Sequence, residues 1–317
     1  MTSQMAQERL STDPVASDID AAVQAVERVM LNVVNSKVTV LREASQHILS
    51  AGGKRIRPRL AMLSYMALGG TDYDYAAPAA AAIELMHTAS VVHDDINDHG
   101  VLRRGRPSVN AKWGRTFALL TGDFLFTAVY QLMAPYGTLN QILADAATAL
   151  VEGETLQAEA VKNSDFTRSK YAEIIALKTA ALFQAAGELG ARLADATTQQ
   201  IEAVQSASYN IGLAFQIVDD ILDIVGDEAQ LGKTAGIDIE QGRGFVSAQT
   251  NGHKNGSGAD AIESVKSKLM QGDYLEEARM QAKGLVEMAI MQINTLPESH
   301  ARSALIELAN QVVDRDF

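Results

Sequence analysis

The chain has 317 residues, 47% of them hydrophobic, which is ample for one large core. Its 39 acidic and 27 basic residues leave a net charge of −12, so the surface as a whole repels nucleic acid. Cysteine is absent, which excludes disulfides, thiolate metal sites and a cysteine nucleophile. The polar opening MTSQMAQERLSTD lacks a signal-peptide core, and no apolar run reaches the ~20 residues of a membrane-spanning helix. A soluble, cytoplasmic protein with no integral membrane segment is expected.

Residues 1 to about 16 are expected to be mobile, and 17–317 to form one domain. From 19 to 49 apolar residues recur every three or four positions, the period of an amphipathic helix. A break at 50–58, SAGGKRIRP, carries Lys54, Arg55 and Arg57, and another falls at 67–72. A third apolar helix, AAAAIELMHTASVV, runs into Asp94-Asp95-x-x-Asp98 and a break at 100–108 that holds Arg103 and Arg104. The helix GDFLFTAVYQLM follows, with further breaks at 134–138, 162–167 and 250–258. Helix starts are signalled by Thr138 with Gln141, Thr197 with Gln200 and Asp273 with Glu276, each pair three apart. Between them YNIGLAFQIV runs into Asp219-Asp220-x-x-Asp223. No clear segment alternates like a strand. Proline is scarce and the fold class is all-α, a single domain of about ten helices.

The two acidic clusters echo each other. Residues four apart share a helix face, so Asp94 and Asp98 can point together, as can Asp219 and Asp223. Like charges at that spacing are destabilising, and the helix C-terminus disfavours anions as well. One such cluster is equally well a solvated acidic face. Two copies, each behind an apolar helix, point to a divalent cation that offsets the repulsion. Oxygen ligands without His or Cys favour Mg²⁺, which bridges carboxylates to substrate phosphates. Cations stand close by in sequence: Lys54, Arg55, Arg57, Arg103 and Arg104, with Lys178, Lys233 and Arg243 further along. Arginine forks and lysine ammoniums bind phosphate, and the glycines beside them let backbone approach a ligand closely. GGKRIRP is not a Walker motif, so nucleotide-hydrolase chemistry loses its support. Acids for metal, cations for phosphate and apolar helices between them imply a diphosphate with a hydrophobic tail.

GGKRIRP, ELMHTASVVHDDINDHGVLRRGRPS, GDFLF, GETLQ, KTAALF and GLAFQIVDDILDIVGDEAQLGKTAGID occur in that order. With this set the sequence resembles the all-trans isoprenyl (polyprenyl) diphosphate synthases from about residue 20 to 315. The resemblance implies a bundle of mostly antiparallel helices around a central cavity, a homodimer, and Mg²⁺-dependent head-to-tail transfer of an allylic diphosphate to isopentenyl diphosphate. It makes Asp94, Asp98 and Asp219 direct Mg²⁺ ligands, with three ions bound alongside the allylic diphosphate. Asp95, Asp220 and Asp223 would hold metal-bound water or support the ligands. Arg103, Lys178 and Lys233 would contact the allylic diphosphate, and Lys54, Arg57, His87 and Arg104 the isopentenyl diphosphate. Arg55 and Arg243 join the substrate-binding cations, and Thr179 and Gln216 line the region where the carbocation forms. The stretch 241–258 departs from the family's usual Gly-Lys-x-Thr-Leu-Pro pattern, and His99 is given no role.

The helix ending at Asp94 acts as a ruler at about 5.4 Å per turn. Short-chain relatives carry bulky aromatics four or five residues before that aspartate, where this chain has Ser90 and Ala89. Met86 is the next floor, with Phe126 and Tyr130 as alternatives. A product of twenty carbons or more is therefore expected. Rival readings are a geranylgeranyl-specific synthase, a non-catalytic subunit of a heteromeric synthase, and a terpene cyclase.

Overall fold

The computed structural model describes residues 14–163, 165, 167–225 and 274–314. Its helices are α1 (Pro14–Val33), α2 (Thr39–Ser50), α3 (Ile56–Ala67), α4 (Tyr73–Asn97), α5 (Val109–Trp113), α6 (Arg115–Met133), α7 (Asn140–Asn163), α8 (Arg168–Ile175), α9 (Ala181–Leu193) and α10 (Thr198–Val225). After the gap follow α11 (Tyr274–Ile293) and α12 (His300–Val313). The all-α expectation holds, and the first helix begins at Pro14, inside the segment expected to be mobile.

α4 is the centre of the bundle. Ala76, Ala77 and Ala79 to Ala82 are buried, and so small a surface lets α1, α3, α6 and α9 close around it. α9 fits its neighbours through glycines. A Cβ on Gly190 would lie 2.2 Å from the Ala61 carbonyl of α3, and one on Gly187 would lie 2.0 Å from Ser208 Oγ of α10. α10 also packs along α11, and α12 returns to cover α3.

Of the three expected helix starts, one forms as its signal predicts, one does not, and one lies outside the described residues. Thr197 and Gln200 form a reciprocal capping box, with Thr197 N–H donating to Gln200 Oε1 at 2.9 Å and Gln200 N–H to Thr197 Oγ1 at 3.4 Å. Gln141 instead bonds Asp145 at 2.8 Å, and Asn140 amide hydrogens cap the Met133 and Gly137 carbonyls. Asp273 lies outside the described residues. The break at 100–108 is a two-residue-per-arm hairpin, β1 (Leu102–Arg103) with β2 (Arg106–Pro107), in a fold otherwise helical among the described residues. Its turn residues Arg104 and Gly105 have φ of 52° and 71°, the twist a tight two-residue hairpin needs.

Two stretches, Arg115–Asn163 and Arg168–Leu193, are long and apolar enough by composition to cross a membrane. The first is broken by a 3₁₀ turn at 134–139 and the second by a π turn at 176–180, and both pack within the bundle.

Candidate active site

The first acidic wall is the last turn of α4. Asp98 caps the helix, and His99 takes a left-handed φ of 54°. The Gly100 N–H then returns to the Asp95 carbonyl at 2.9 Å, a Schellman closure that turns the chain into the arginine hairpin. His99 therefore has a backbone role that its side chain does not advertise. The hairpin is clipped to the wall by Arg103, which donates to Asp95 Oδ1 at 2.6 and 3.1 Å. Asp95 is 1% exposed and its other oxygen has no hydrogen-bond partner. Burial lifts the Asp95 carboxyl above its ordinary range, with Arg103 opposing that shift. Asp95 thus positions the hairpin.

The π turn joins the two walls. Lys178 Nζ stands 3.7 Å from Asp94 Oδ2, 2.6 Å from Glu154 Oε1 and 2.9 Å from Gln157 Oε1. The next residue, Thr179, donates to Gln216 Oε1 on α10 at 2.8 Å. Gln216 Nε2 in turn donates to Asp220 Oδ1 at 2.8 Å, and Tyr171 of α8 donates to Asp220 Oδ2 at 2.7 Å. The widened turn explains how consecutive residues face opposite walls, a common use of π bulges at functional sites. It is seated by Gly153, where a Cβ would lie 2.7 Å from the Lys178 backbone nitrogen. The GETLQ stretch on α7 supplies that glycine, Glu154 and Gln157.

Asp94 is the strained member. Burial pushes its carboxyl up to about 7; Lys178 opposes the shift, while Glu154 and Asp98 reinforce it. A divalent cation would relieve that crowding, and the all-oxygen donor set fits Mg²⁺. Among the described residues no three acidic or histidine side chains converge on one point.

The basic pole lies beside α4, three turns before its end. Arg57 is buried with its guanidinium 4.6 Å above the Phe183 ring. Burial brings it down to about 10, against the pull of Glu84 on α4 and Asp219 on α10. Burial and the fields of Arg57, Arg104, Arg103 and Arg55 hold His87 neutral, well below its ordinary value. Arg104 packs on Gly53, where a Cβ would meet its Nη1 at 2.6 Å. The glycine read as room for a ligand makes room for an arginine.

Other expected residues sit elsewhere. Arg55, grouped with the substrate cations, is 8% exposed and bonds Glu84 at 2.8 Å and the Leu49 carbonyl at 2.7 Å. It braces the loop. Lys54 borders a cavity of about 320 Å³ formed with α12. Met86 and Ala89 are buried, and Ser90 turns its hydroxyl back to the His87 carbonyl at 2.8 Å. Phe126 is half-buried with its ring 6.0 Å from His93. Tyr130 is 72% exposed and faces outward, so it does not floor an interior cavity of this chain. Asp219 and Asp223 lie on α10, Asp223 buried. Lys233, Arg243 and the atypical 241–258 stretch lie outside the described residues.

Sequence reasoning gave no role to Glu84, Glu154, Gln157 or Tyr171. Glu84 was detectable as a lone carboxylate in an apolar helix, since a buried acid requires a cation. The fold and these walls define an all-α, diphosphate-handling enzyme. The polyprenyl synthetase family model matches residues 38–276. The octaprenyl diphosphate synthase of Haemophilus influenzae is 34% identical, over 98% of this chain and 99% of its own. A short chain isoprenyl diphosphate synthase of Methanothermobacter thermautotrophicus is 37% identical over 92% of this chain and 95% of its own. The structure of a Caulobacter crescentus polyprenyl synthase complexed with calcium and isoprenyl diphosphate superposes with a TM-score of 0.88. It is 31% identical and covers 96% of this chain and 97% of that one. The chain belongs to the polyprenyl synthetase family, whose all-α isoprenoid synthase fold it has, and is a trans-polyprenyl prenyltransferase.

Proposed function

We propose that the protein condenses isopentenyl diphosphate with an allylic diphosphate, head to tail, using Mg²⁺, to give an all-trans polyprenyl diphosphate longer than twenty carbons. The observation that carries this is the π turn, whose adjacent residues Lys178 and Thr179 reach Asp94 on one wall and Gln216 on the other.

Asp94, Asp98 and Asp219 would hold Mg²⁺, which supplies charge neutralisation for the departing diphosphate. Lys178 adds a cation beside Asp94 where that group leaves, and the oxygens of Thr179 and Gln216 face the allylic carbon as positive charge develops. Arg57, Arg104 and neutral His87 would receive the second diphosphate. The double bond of isopentenyl diphosphate then attacks, and the proton it gives up passes to the released diphosphate. Small Ala89 and Ser90 put the floor no higher than Met86, which supports the longer product. A homodimer fits the outward-facing Phe117, Leu119 and Leu120 on α6.

The test is direct. The purified protein is incubated with Mg²⁺, labelled isopentenyl diphosphate and farnesyl or geranylgeranyl diphosphate, and the dephosphorylated products are sized. A ladder ending in one dominant length above twenty carbons is expected. A stop at twenty carbons would make it a geranylgeranyl synthase. No elongation from any primer would overturn the homomeric-enzyme reading.

A further inference from the structure

We infer that His47 is a positioning residue for isopentenyl diphosphate binding: it ties the arginine hairpin to α2, the helix that runs into the GGKRIRP loop, so that Arg104 meets that loop in a fixed place. The inference rests on the prenyl-transfer reading, in which Arg104 receives that substrate.

The ties on the hairpin run two ways. One set leads to α4. Arg103 grips Asp95 Oδ1 at 2.6 Å, Ser108 Oγ donates to the Gly100 carbonyl at 2.6 Å, and Asn110 donates to the Asp95 carbonyl at 3.5 Å. These bonds place Arg103 against the acidic wall. Arg104 sits instead on Gly53, which belongs to the loop after α2. His47, in the last turn of α2, supplies the tie on that side. Its Nε2 lies 2.8 Å from the Pro107 carbonyl of β2, 60 residues away. A carbonyl can only accept, so Nε2 donates. Arg106, beside Pro107, adds a longer bond to Ser50 Oγ at 3.3 Å, at the end of the same helix.

The His47 ring also meets the helix that follows the hairpin. It stands edge-on to Trp113 of α5, with ring centroids 5.1 Å apart at 76°. The Trp113 ring in turn carries Lys112 Nζ 4.4 Å from its centroid. Ser108 caps α5 by accepting from the Ala111 N–H at 3.0 Å, so β2 and Trp113 form one continuous piece. His47 touches that piece at two points, which sets its angle to α2 as well as its distance.

Geometry gives this tie its leverage. Each arm of the hairpin is two residues long. An arm of about 7 Å that turns by about 10° carries the tip about 1 Å. The fit at the tip has no room for that, since a Cβ on Gly53 would lie 2.6 Å from Arg104 Nη1 and 2.7 Å from its Cζ. Arg103 is spared the movement because Asp95 holds it by two bonds, at 2.6 and 3.1 Å.

The experiment compares wild type, His47→Phe and His47→Gln in steady-state elongation, each also on an Arg104→Met background. Phenylalanine keeps a ring beside Trp113 and loses the donor, whereas glutamine keeps an N–H near the place of Nε2. His47→Phe should raise KM for isopentenyl diphosphate roughly 5-fold, the worth of one hydrogen bond. Its kcat and its KM for the allylic diphosphate should stay as in wild type, the pattern of lost binding to one substrate. His47→Gln should recover most of that rise. On the Arg104→Met background His47→Phe should add nothing further, because it acts through Arg104. An unchanged isopentenyl KM in His47→Phe overturns the inference and leaves the prenyl-transfer reading standing. An equal rise in His47→Gln, a full further rise on the Arg104→Met background, or a joint loss of kcat, both affinities and urea midpoint assigns His47 an ordinary structural role and also overturns it. A wild type that does not elongate defeats the underlying reading instead.

Discussion

Arg55→Met tests whether the second residue of the KRIRP run is a brace or a ligand. The change keeps most of the side-chain volume but strands Glu84, which is 3% exposed and loses its partner at 2.8 Å. Breaking a buried pair from one side costs about 3–5 kcal/mol. The Leu49 carbonyl also loses its donor, adding about 1 kcal/mol. The expected loss is therefore about 4–6 kcal/mol, or roughly 8–12 °C in Tm at about 2 °C per kcal/mol. Urea midpoints of Arg55→Met and of Arg55→Met/Glu84→Met measure this. The double variant should recover most of the loss. A loss under about 1 kcal/mol, or no recovery in the double variant, would refute a buried, mutually dependent pair.

Asp94 gives a pH signature. Its carboxyl is raised to about 7 in the folded protein, so the folded state holds a proton that the unfolded state releases nearer 4. The metal-free protein is stabilised below that range and loses the contribution as pH rises through 7. Asp94→Asn should therefore raise the urea midpoint in EDTA at pH 8 and leave it unchanged near pH 4; no gain at pH 8 would count against the crowding. Gly53→Ala places a methyl on the Arg104 guanidinium at a φ of +142°. Its KM for isopentenyl diphosphate should rise about tenfold, a loss of about 1.4 kcal/mol in binding, with the allylic KM unchanged. Met86→Ala should lengthen the dominant product and cost about 2–5 kcal/mol of stability, whereas Tyr130→Ala should leave product length alone, as read by product sizing and melting.

The helices were legible because alanine content and a three-to-four period are local properties, and the paired acidic clusters because an unfavourable pattern occurred twice. What stayed hidden was assembled from a distance. Arg55 and Glu84 are 29 residues apart and Tyr171 and Asp220 are 49 apart, so no window of sequence joins them. The misplacement of Tyr130 was avoidable. Seven residues separate it from Asp123, so the two share a face of α6, and Asp123 is 57% exposed at its side chain.

A common logic links these hidden contacts to the visible motif residues. Three of the parts expected at a substrate are held by neighbours outside their own motif: Lys178 by Glu154 and Gln157, the basic loop by Glu84 through Arg55, and Gln216 by Asp220, which Tyr171 also bonds. Cations beside anionic walls have several competing partners, and an unrestrained Lys178 or Arg57 could settle onto the nearest aspartate. Glu154 engages Lys178, and the Phe183 ring lies under the Arg57 guanidinium. Lys178 accordingly stops 3.7 Å short of Asp94 while it touches Glu154 at 2.6 Å. Glu154→Gln should therefore let Lys178 close on Asp94, and a higher half-saturating Mg²⁺ concentration in elongation than in wild type would measure that, whereas an unchanged one would count against the restraint.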